Sequence, residues 1–561
     1  SFTLSAIHEL NLSARISISM SCTPFVRRDF SVVYYPTVST VKGERVTKAD
    51  LVVKNGIIMT LDPDKPLADI IGIKGDRILF TGNAEDLDSI TGPDTRVIDC
   101  EGKTVVPGFN DAHCHIFSFL RKLISVDLSE RAVRSIEDIK AEIRRKADNT
   151  PEGEWISGTD YNDFYLVEKR HPNRRELDEV APNHPVILSH RSLHACVLNS
   201  KALALAGITR ETEEPTGGHI DRELDTGEPS GLLIDMLGYI REEVMPSISE
   251  TELEKGIRLA SDHYLSNGIT SLQDATVVND YTRWQRFRRF KEKQLLKSRL
   301  YYMPGVDHLD EFVDAGTLFC SGDSHIKIGH VKITPSETKG KGIHPVQHEL
   351  NKMVLDIQRA GFRAAIHATR YETVGAAVNA IEYALGQLPQ DDHRHRIEHC
   401  SECPPHLLDR IKKLDIMIVT QPPFLYYSGE RYLATVPPDR QPWLYRIKSM
   451  TEAGITVAGS SDSPIVDDNP LVGIYAAVNR LANSGQAVLP EERVSVEKAL
   501  EMYTRNAACA SFEEEEKGTI SEGKLADLVL LSDNPTTVPP EQLKDIMVEM
   551  TIIGGEVVWE R

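Results

Sequence analysis

Residues 107–115 read Pro-Gly-Phe-Asn-Asp-Ala-His-Cys-His, a short and mostly apolar segment that ends in two histidines. Side chains alternate between the two faces of a β-strand, so His113 and His115 point the same way. Two neighbouring imidazoles at the end of a strand are able to bind one metal ion. The stretch therefore predicts a strand that carries metal ligands at its carboxyl end.

Four other candidate ligands lie in or just after apolar runs further along the chain. Lys332 and His367 are separated by roughly one βα unit of about 30 residues, and so are His367 and His399. His399 and Asp462 are separated by about two such units. The groups therefore fall on four strand ends, with one strand skipped. The carboxyl ends of strands in a closed barrel converge on one pocket, so no local motif is needed to assemble a metal cluster. These residues are Lys332, His367, His399 and Asp462.

Strand-like and helical patterns alternate over about 400 residues, which predicts an α/β fold with a parallel barrel or a doubly wound sheet. The interval from His115 to Lys332 exceeds what three βα units need, so we expect an insertion at about residues 130–245. Short strands predict a composite β domain from residues 49–107 and 523–561. Asn55-Gly56 predicts a hairpin within the first of these ranges, and Gly554-Gly555 predicts a turn between two strands within the second.

The composition is that of a globular protein: 561 residues with 64 Lys and Arg against 84 Asp and Glu, a net charge of −20. Nucleic acids and anionic membranes both favour basic surfaces, so we expect neither as a partner. No apolar run reaches the roughly 18 residues of a membrane helix. With only 8 cysteines, the expected location is the cytoplasm.

Residues 1–48 are expected to form an N-terminal tail separate from the folded domains. The serine-rich and arginine-containing start of this segment weakly resembles a transit peptide, so organellar targeting remains an alternative to the cytoplasm. A natural start at Met20 and a disordered tail are the other interpretations.

These residues together resemble the amidohydrolase superfamily, and within it amidohydrolase family 3, the YtcJ-like branch. The resemblance covers about residues 49–561. It implies a TIM-like (β/α)8 barrel, residues 108–522, with a β-sandwich made from both chain ends, and hydrolysis of a non-peptide carbon–nitrogen bond. The motifs are PGFNDAHCH (107–115), GITS (268–271), the strand around Lys332, His367-Ala368, RIEH (396–399), GSSDSP (459–464) and the tail from Gly518 to Leu528.

The resemblance also implies a role for each residue. His113 and His115 would bind the more buried metal together with Asp462, while His367 and His399 would bind the second. Lys332 would bridge the two ions as a carbamate formed with carbon dioxide. A metal-bound hydroxide would attack the substrate carbonyl, and Asp462 would carry its proton to the leaving nitrogen. Zinc is the expected divalent metal, although the same ligands accept Mn, Fe or Co.

Part of the insertion resembles the substrate-binding side of the same branch. Arg191 and His194 belong to the segment HRSLH at 190–194, and His219 belongs to the segment GGHIDR at 217–222. His194 is a candidate catalytic residue that would hydrogen-bond the substrate or its oxyanion, with a packing role as the alternative. Arg191 and His219 are candidate substrate-binding residues. The expected partner is a small amide, formamide or cyclic amide, and a homodimer is allowed.

Two points remain open at the level of sequence. Lys327 is the rival to Lys332, although it lies an odd number of residues away and faces the other side of an unbroken strand. A mononuclear metal deaminase is the alternative enzyme, but many of these have a glutamate three residues after the strand-5 histidine, where this chain has Arg370. A third hypothesis for the function is a non-catalytic barrel scaffold that binds no metal.

Overall fold

The computed structural model describes residues 47–215, 218–338 and 342–561. The predicted tail, residues 1–48, lies outside these ranges except for its last two residues. Within the described ranges, no helix is both long and apolar enough to cross a bilayer. Helices alternate with parallel strands through most of the chain, which confirms the predicted α/β class.

One mixed sheet of eight strands takes its strands from both ends of the described chain. Its first strand, β1 (Leu51–Met59), runs on through Asn55 and Gly56, so the predicted hairpin at this pair is wrong. Asn55 has a φ of 57° and the pairing register shifts here, which makes a bulge. A side chain on Gly56 would meet the Cβ atom of Cys100 at 2.7 Å. The next elements are β2 (Leu67–Lys74), β3 (Arg77–Gly82), α1 (Leu87–Ile90), β4 (Arg96–Asp99) and β5 (Thr104–Pro107).

A separate six-stranded sheet lies where the sequence predicts the insertion. It follows the first strand of the parallel series, β6 (Phe109–Cys114), and the helix α2 (Ile116–Ile124). Leu128, Ile139 and Leu188 belong to its own apolar core, so this region packs as a unit. Its elements are β7 (Val126–Asp127), α3 (Ile136–Ala147), β8 (Ile156–Tyr161), α4 (Arg174–Val180), β9 (Val186–His190), β10 (Ala195–Leu198), α5 (Ser200–Leu205), β11 (His219–Arg222), β12 (Pro229–Ile234) and α6 (Leu237–Tyr239).

The second half of the chain resumes the parallel series, with helices between most of the strands. A short hairpin of β17 and β18 interrupts it. The elements are α7 (Glu250–Ser266), β13 (Ile269–Asp274), α8 (Tyr281–Glu292), β14 (Arg299–Tyr302), α9 (Leu309–Asp314), β15 (Ile326–Ile328), β16 (Val331–Ile333), β17 (Ser336–Thr338), β18 (Gly342–His344), α10 (Gln347–Arg359), β19 (Ala364–Ala368), α11 (Tyr371–Gln387), β20 (Arg396–His399), α12 (Pro405–Lys413), β21 (Met417–Thr420), α13 (Pro423–Thr435), α14 (Ile447–Glu452), β22 (Val457–Gly459), α15 (Pro470–Asn479), α16 (Val496–Met502) and α17 (Arg505–Cys509).

The parallel strands form two sheets, in the orders β15-β14-β13-β6 and β16-β19-β20-β21-β22. Every strand pair within them is parallel. Isolated bridges join Gly305 to Lys332 and Cys114 to Ser463, where the edges of the two sheets meet. A TIM-like (β/α)8 barrel requires this order of neighbours, and the closure of the barrel stays a prediction.

The chain ends in the sheet in which it began. β23 (Leu528–Leu531) pairs with β5 and with β24 (Val548–Ile553), which pairs with the edge strand β25 (Glu556–Glu560). The predicted turn at Gly554-Gly555 is confirmed, because both residues have positive φ angles and connect the last two strands. Strands from both predicted ranges, 49–107 and 523–561, thus share one sheet. That they form a sandwich stays a prediction.

Candidate metal centre

The carboxyl ends of the parallel strands carry the six predicted metal-site residues. The strands of each sheet are parallel, so their carboxyl ends lie on the same side of it. The six residues are His113 at the end of β6, His115 directly after it, Lys332 in β16, His367 in β19, His399 at the end of β20 and Asp462 after β22.

Four of these side chains lie around one point. The Oδ1 atom of Asp462 is 2.9 Å from the Nε2 atom of His115 and 3.5 Å from the Nε2 atom of His113. The Nζ atom of Lys332 is 3.4 Å from the same nitrogen of His113. Strands far apart in sequence therefore direct their polar atoms to one place.

His367 and His399 extend the cluster on the side of His113. The ring centroids of His113 and His399 are 4.8 Å apart, and those of His399 and His367 are 4.4 Å apart. His399 has a φ of 73°, which turns the chain sharply as β20 ends. All six predicted residues thus belong to one continuous set of contacts.

The donor set suits a divalent metal ion. One ligand atom from each of His113, His115 and Asp462 lies within 4.8 Å of the other two. Imidazole nitrogen and carboxylate oxygen are zinc ligands, and His113 and Asp462 are buried. The residues present therefore fit a metal ion at this position.

Burial favours the neutral form, which a metal requires, in His113, His367 and His399. It lowers the pKa of His113 and of His399 well below the usual value for histidine. Burial, followed by the charge of Lys332, lowers the pKa of His367 to about 3. Burial also lowers the pKa of Lys332 to about 8. A lysine that loses its proton more readily is a better nucleophile toward carbon dioxide.

Lys332 and its rival Lys327 have different surroundings. The ammonium group of Lys327 is 3.3 Å from Glu513, a residue outside the cluster. Lys332 is buried and contacts His113. The geometry thus favours Lys332 as the lysine of the site.

Three further residues contact the site histidines and were not identified from the sequence. Glu398 directly precedes His399, and regular alternation in the strand would place their side chains on opposite faces. The turn at His399 breaks that alternation. Of the three, only Gln421 could have been identified from the sequence, because it directly follows β21, the skipped strand. The contacts are those of Glu398 with His113, Gln421 with His399 and Thr276 with His115.

Of the predicted substrate residues of the insertion, His194 interacts electrostatically with the cluster, whereas the described contact of His219 lies outside it. The charge of His194 contributes to lowering the pKa of His367, after burial and Lys332, so His194 lies within electrostatic reach of the cluster. Its Nδ1 atom is 2.7 Å from Asp235. His219 is exposed and lies 2.6 Å from Glu214, and no described contact joins it to the cluster.

Arg191, the other predicted substrate residue, lies three residues before His194 in the insertion. Its guanidinium donates to Glu130 at 3.0 Å and lies 5.8 Å from the ring centroid of Tyr427 on α13. Arg191 therefore connects the insertion to the helix that follows the skipped strand.

Comparison with known proteins gives a consistent family and fold. The model of the amidohydrolase family matches residues 96–559. The N-substituted formamide deformylase of Arthrobacter pascens is 29% identical over 91% of this chain and 98% of its own length. The putative amidohydrolase YtcJ of Bacillus subtilis (strain 168) is 26% identical over 90% of this chain and 98% of its own length.

A solved structure shares the architecture. An uncharacterised metal-dependent hydrolase from Pyrococcus furiosus superposes on this chain with a TM-score of 0.70 and 25% sequence identity. The match covers 87% of this chain and 100% of the other. The strand ends that carry the six residues lie within the range that the family model matches.

Proposed function

The chain belongs to the amidohydrolase family and is a hydrolase that acts on C–N bonds, and we propose that its substrate is a small formamide, amide or cyclic amide. The convergence of His113, His115 and Asp462 is the observation that carries this proposal. N-substituted formamides are the first class to test, because the relative from Arthrobacter pascens is named for them.

The proposed centre holds one or two divalent ions, with zinc as the expected metal. His113, His115 and Asp462 would hold the first ion, and His367 and His399 the second. Lys332, as its carbamate, would connect the two positions, because a carbamate offers two oxygens where an amine offers one nitrogen. When bound, the metal supplies Lewis-acid activation of water and of the substrate carbonyl.

Two protein side chains are proposed to transfer the proton of the reaction and to stabilise the developing negative charge. Water adds to the carbonyl carbon, the C–N bond breaks, and the products are a carboxylic acid and an amine. The Oδ1 atom of Asp462 accepts the proton that water loses and returns it to the leaving nitrogen. His194 is proposed to donate a hydrogen bond to the carbonyl oxygen as negative charge develops there.

The proposed architecture places this chemistry in a closed barrel. The bridge between Cys114 and Ser463 supports the pairing of the first and last barrel strands. The insertion that contains His194 and Arg191 would cover the ends of the barrel strands and shape the substrate pocket. Substrate selection would then depend on the insertion and not on the metal ligands.

Metal analysis of the purified protein is the first test. We expect one or two zinc ions per chain by mass spectrometry, followed by turnover on a panel of formamides, amides and cyclic amides assayed with the metal found. Release of ammonia from an amino-purine or amino-pyrimidine by a one-metal protein would favour the deaminase alternative. Full metal loading without turnover on any C–N substrate would contradict the proposal.

A further inference from the structure

Three site histidines have an orienting partner on their Nδ1 atom, and only one of the three partners is a carboxylate. A carboxylate increases the basicity of a metal-bound imidazole more than a neutral acceptor does, because it stabilises the positive charge that the ring gains on coordination. The partners are the Glu398 carboxylate at 2.5 Å from His113, the Gln421 amide oxygen at 2.7 Å from His399, and the Thr276 hydroxyl at 3.0 Å from His115.

Glu398 is held by a fully buried arginine. The Nε and Nη2 atoms of Arg396 donate to its two carboxylate oxygens at 2.5 and 3.1 Å, and neither side chain is exposed. The same guanidinium donates at 2.6 Å to the side-chain oxygen of Gln273 and at 2.6 Å to the backbone oxygen of Ala112. Ala112 directly precedes His113, so the arginine ties the carboxylate to the backbone of the strand that carries the histidine.

This arrangement selects one tautomer of His113. A carboxylate paired with arginine only accepts hydrogen bonds, so the Nδ1 atom of His113 carries the proton. The lone pair of the ring is then on Nε2, the nitrogen that lies 3.4 Å from Lys332 and 3.5 Å from Asp462. The ligand atom therefore faces the proposed metal position without rearrangement of the ring.

We infer that Glu398 is a positioning residue that makes the group of His113, His115 and Asp462 the tighter of the two metal positions. The inference rests on the proposed metal centre. His399, oriented by the neutral amide of Gln421, belongs to the position that fills second. The chain accordingly binds one ion strongly and the other more weakly.

The test compares Glu398→Gln with Glu402→Gln, measured against the wild type. Glu402 is a matched control, since it is a mostly buried glutamate of the following loop that pairs with Arg440 and does not contact His113. Metal-free protein is titrated with zinc against a competing chromophoric chelator, and bound zinc is counted by mass spectrometry. We expect Glu398→Gln to weaken the tighter constant by about 10- to 100-fold and to change the weaker one by less than about threefold.

The control variant should bind zinc as the wild type does. Because Glu398→Gln leaves Arg396 without its partner, the double variant Arg396→Gln/Glu398→Gln, which removes both buried charges, is titrated in parallel. The thermal midpoint of each metal-free variant reports any purely structural effect. Cobalt loading adds a spectroscopic readout, since a changed first-bound cobalt spectrum indicates altered coordination at the tighter position.

The outcomes separate the inference from the proposed function. A wild type that binds no metal overturns both. If the wild type binds zinc and neither the single nor the double variant weakens the tighter constant, only the inference is overturned. Equal weakening of both constants also overturns it, because the effect must be confined to the first position. If the wild type binds a single ion, that constant must weaken in Glu398→Gln.

Discussion

The Oδ1 atom of Asp462 lies 2.9 Å from the Nε2 atom of His115, which joins the end of the last parallel strand to the end of the first. Asp462 reaches this position with a φ of 61°, a left-handed turn three residues after the end of β22. Its backbone N–H donates to the backbone oxygen of His113 at 2.8 Å. The carboxylate is therefore held in place by its own backbone as well as by its side-chain contact.

Replacing Asp462 with asparagine should remove the proton carrier while keeping a side-chain oxygen in place. We expect kcat on the best formamide or amide substrate to fall by about 10²- to 10⁴-fold, the usual contribution of a general base. The measurement is steady-state kinetics together with the metal content. Asp467→Asn is the control, because the Asp467 carboxylate caps the N–H of Asn469 on the same loop. A variant that retains wild-type kcat would exclude Asp462 as the base.

Replacing Lys332 with alanine should lower the number of bound metals. The proposed bridging ligand would be lost, so we expect at most one ion per chain and loss of most activity. Native mass spectrometry of the wild type should show the added mass of one carbon dioxide that the variant lacks. Lys327→Ala serves as the control, since this lysine pairs with Glu513 outside the cluster. If Lys327→Ala lost the metal and Lys332→Ala kept it, the assignment would be reversed.

Acid should destabilise the metal-free protein through His367. The pKa of this residue is about 3 in the folded chain, below its ordinary 6.5, so the unfolded chain binds more protons between these values. Stability due to this residue is complete above pH 6.5 and decreases as the pH falls toward 3. Between pH 7 and 4.5 the wild type should lose about 2 to 3 kcal/mol more than His367→Asn. Urea unfolding at both pH values measures this, and equal losses would contradict it.

Replacing His194 with alanine should impair substrate use and leave the metal centre intact. The loss of one hydrogen bond to the substrate predicts a decrease in kcat/KM of about 10-fold. Asp235→Asn should give a smaller decrease, since Asp235 contacts the Nδ1 atom of His194 and would act on the substrate only through this histidine. His219→Ala is the control, because its described contact is with Glu214. Unchanged kinetics in His194→Ala would exclude His194 from substrate binding, since its exposed side chain has no packing role either.

The terminal sheet should depend on one buried ion pair for its attachment to the parallel strands. Arg299 of β14 donates to both carboxylate oxygens of Asp527 at 2.7 and 2.8 Å. Arg299→Leu leaves Asp527 buried without its partner and should cost about 3 to 5 kcal/mol of unfolding free energy. The exposed pair of Arg145 and Glu142 offers a control, and Arg145→Leu should cost less than about 1 kcal/mol. Urea denaturation at neutral pH measures both.

Local sequence patterns predicted much of the fold. They failed where a contact with a residue distant in sequence determined the backbone conformation. The Gly-Gly turn was correctly predicted because its positive φ angles are a property of the two residues themselves. The Asn55-Gly56 pair has the same local preference, yet the strand continues through it as a bulge. Cys100 packs within 2.7 Å of where a side chain on Gly56 would begin, and no local pattern contains that contact.

The sequence by itself identified the six side chains that the fold brings together as a candidate metal centre, because candidate ligands at the ends of parallel strands recur at the spacing of a βα unit. Only the tertiary structure decided how these ligands are oriented. The carboxylate of Glu398 reaches His113 from another strand, and the left-handed turn at His399 breaks the regular alternation of side chains at the end of β20. Orientation depends on contacts between distant segments, and such contacts exist only once the strands are packed side by side.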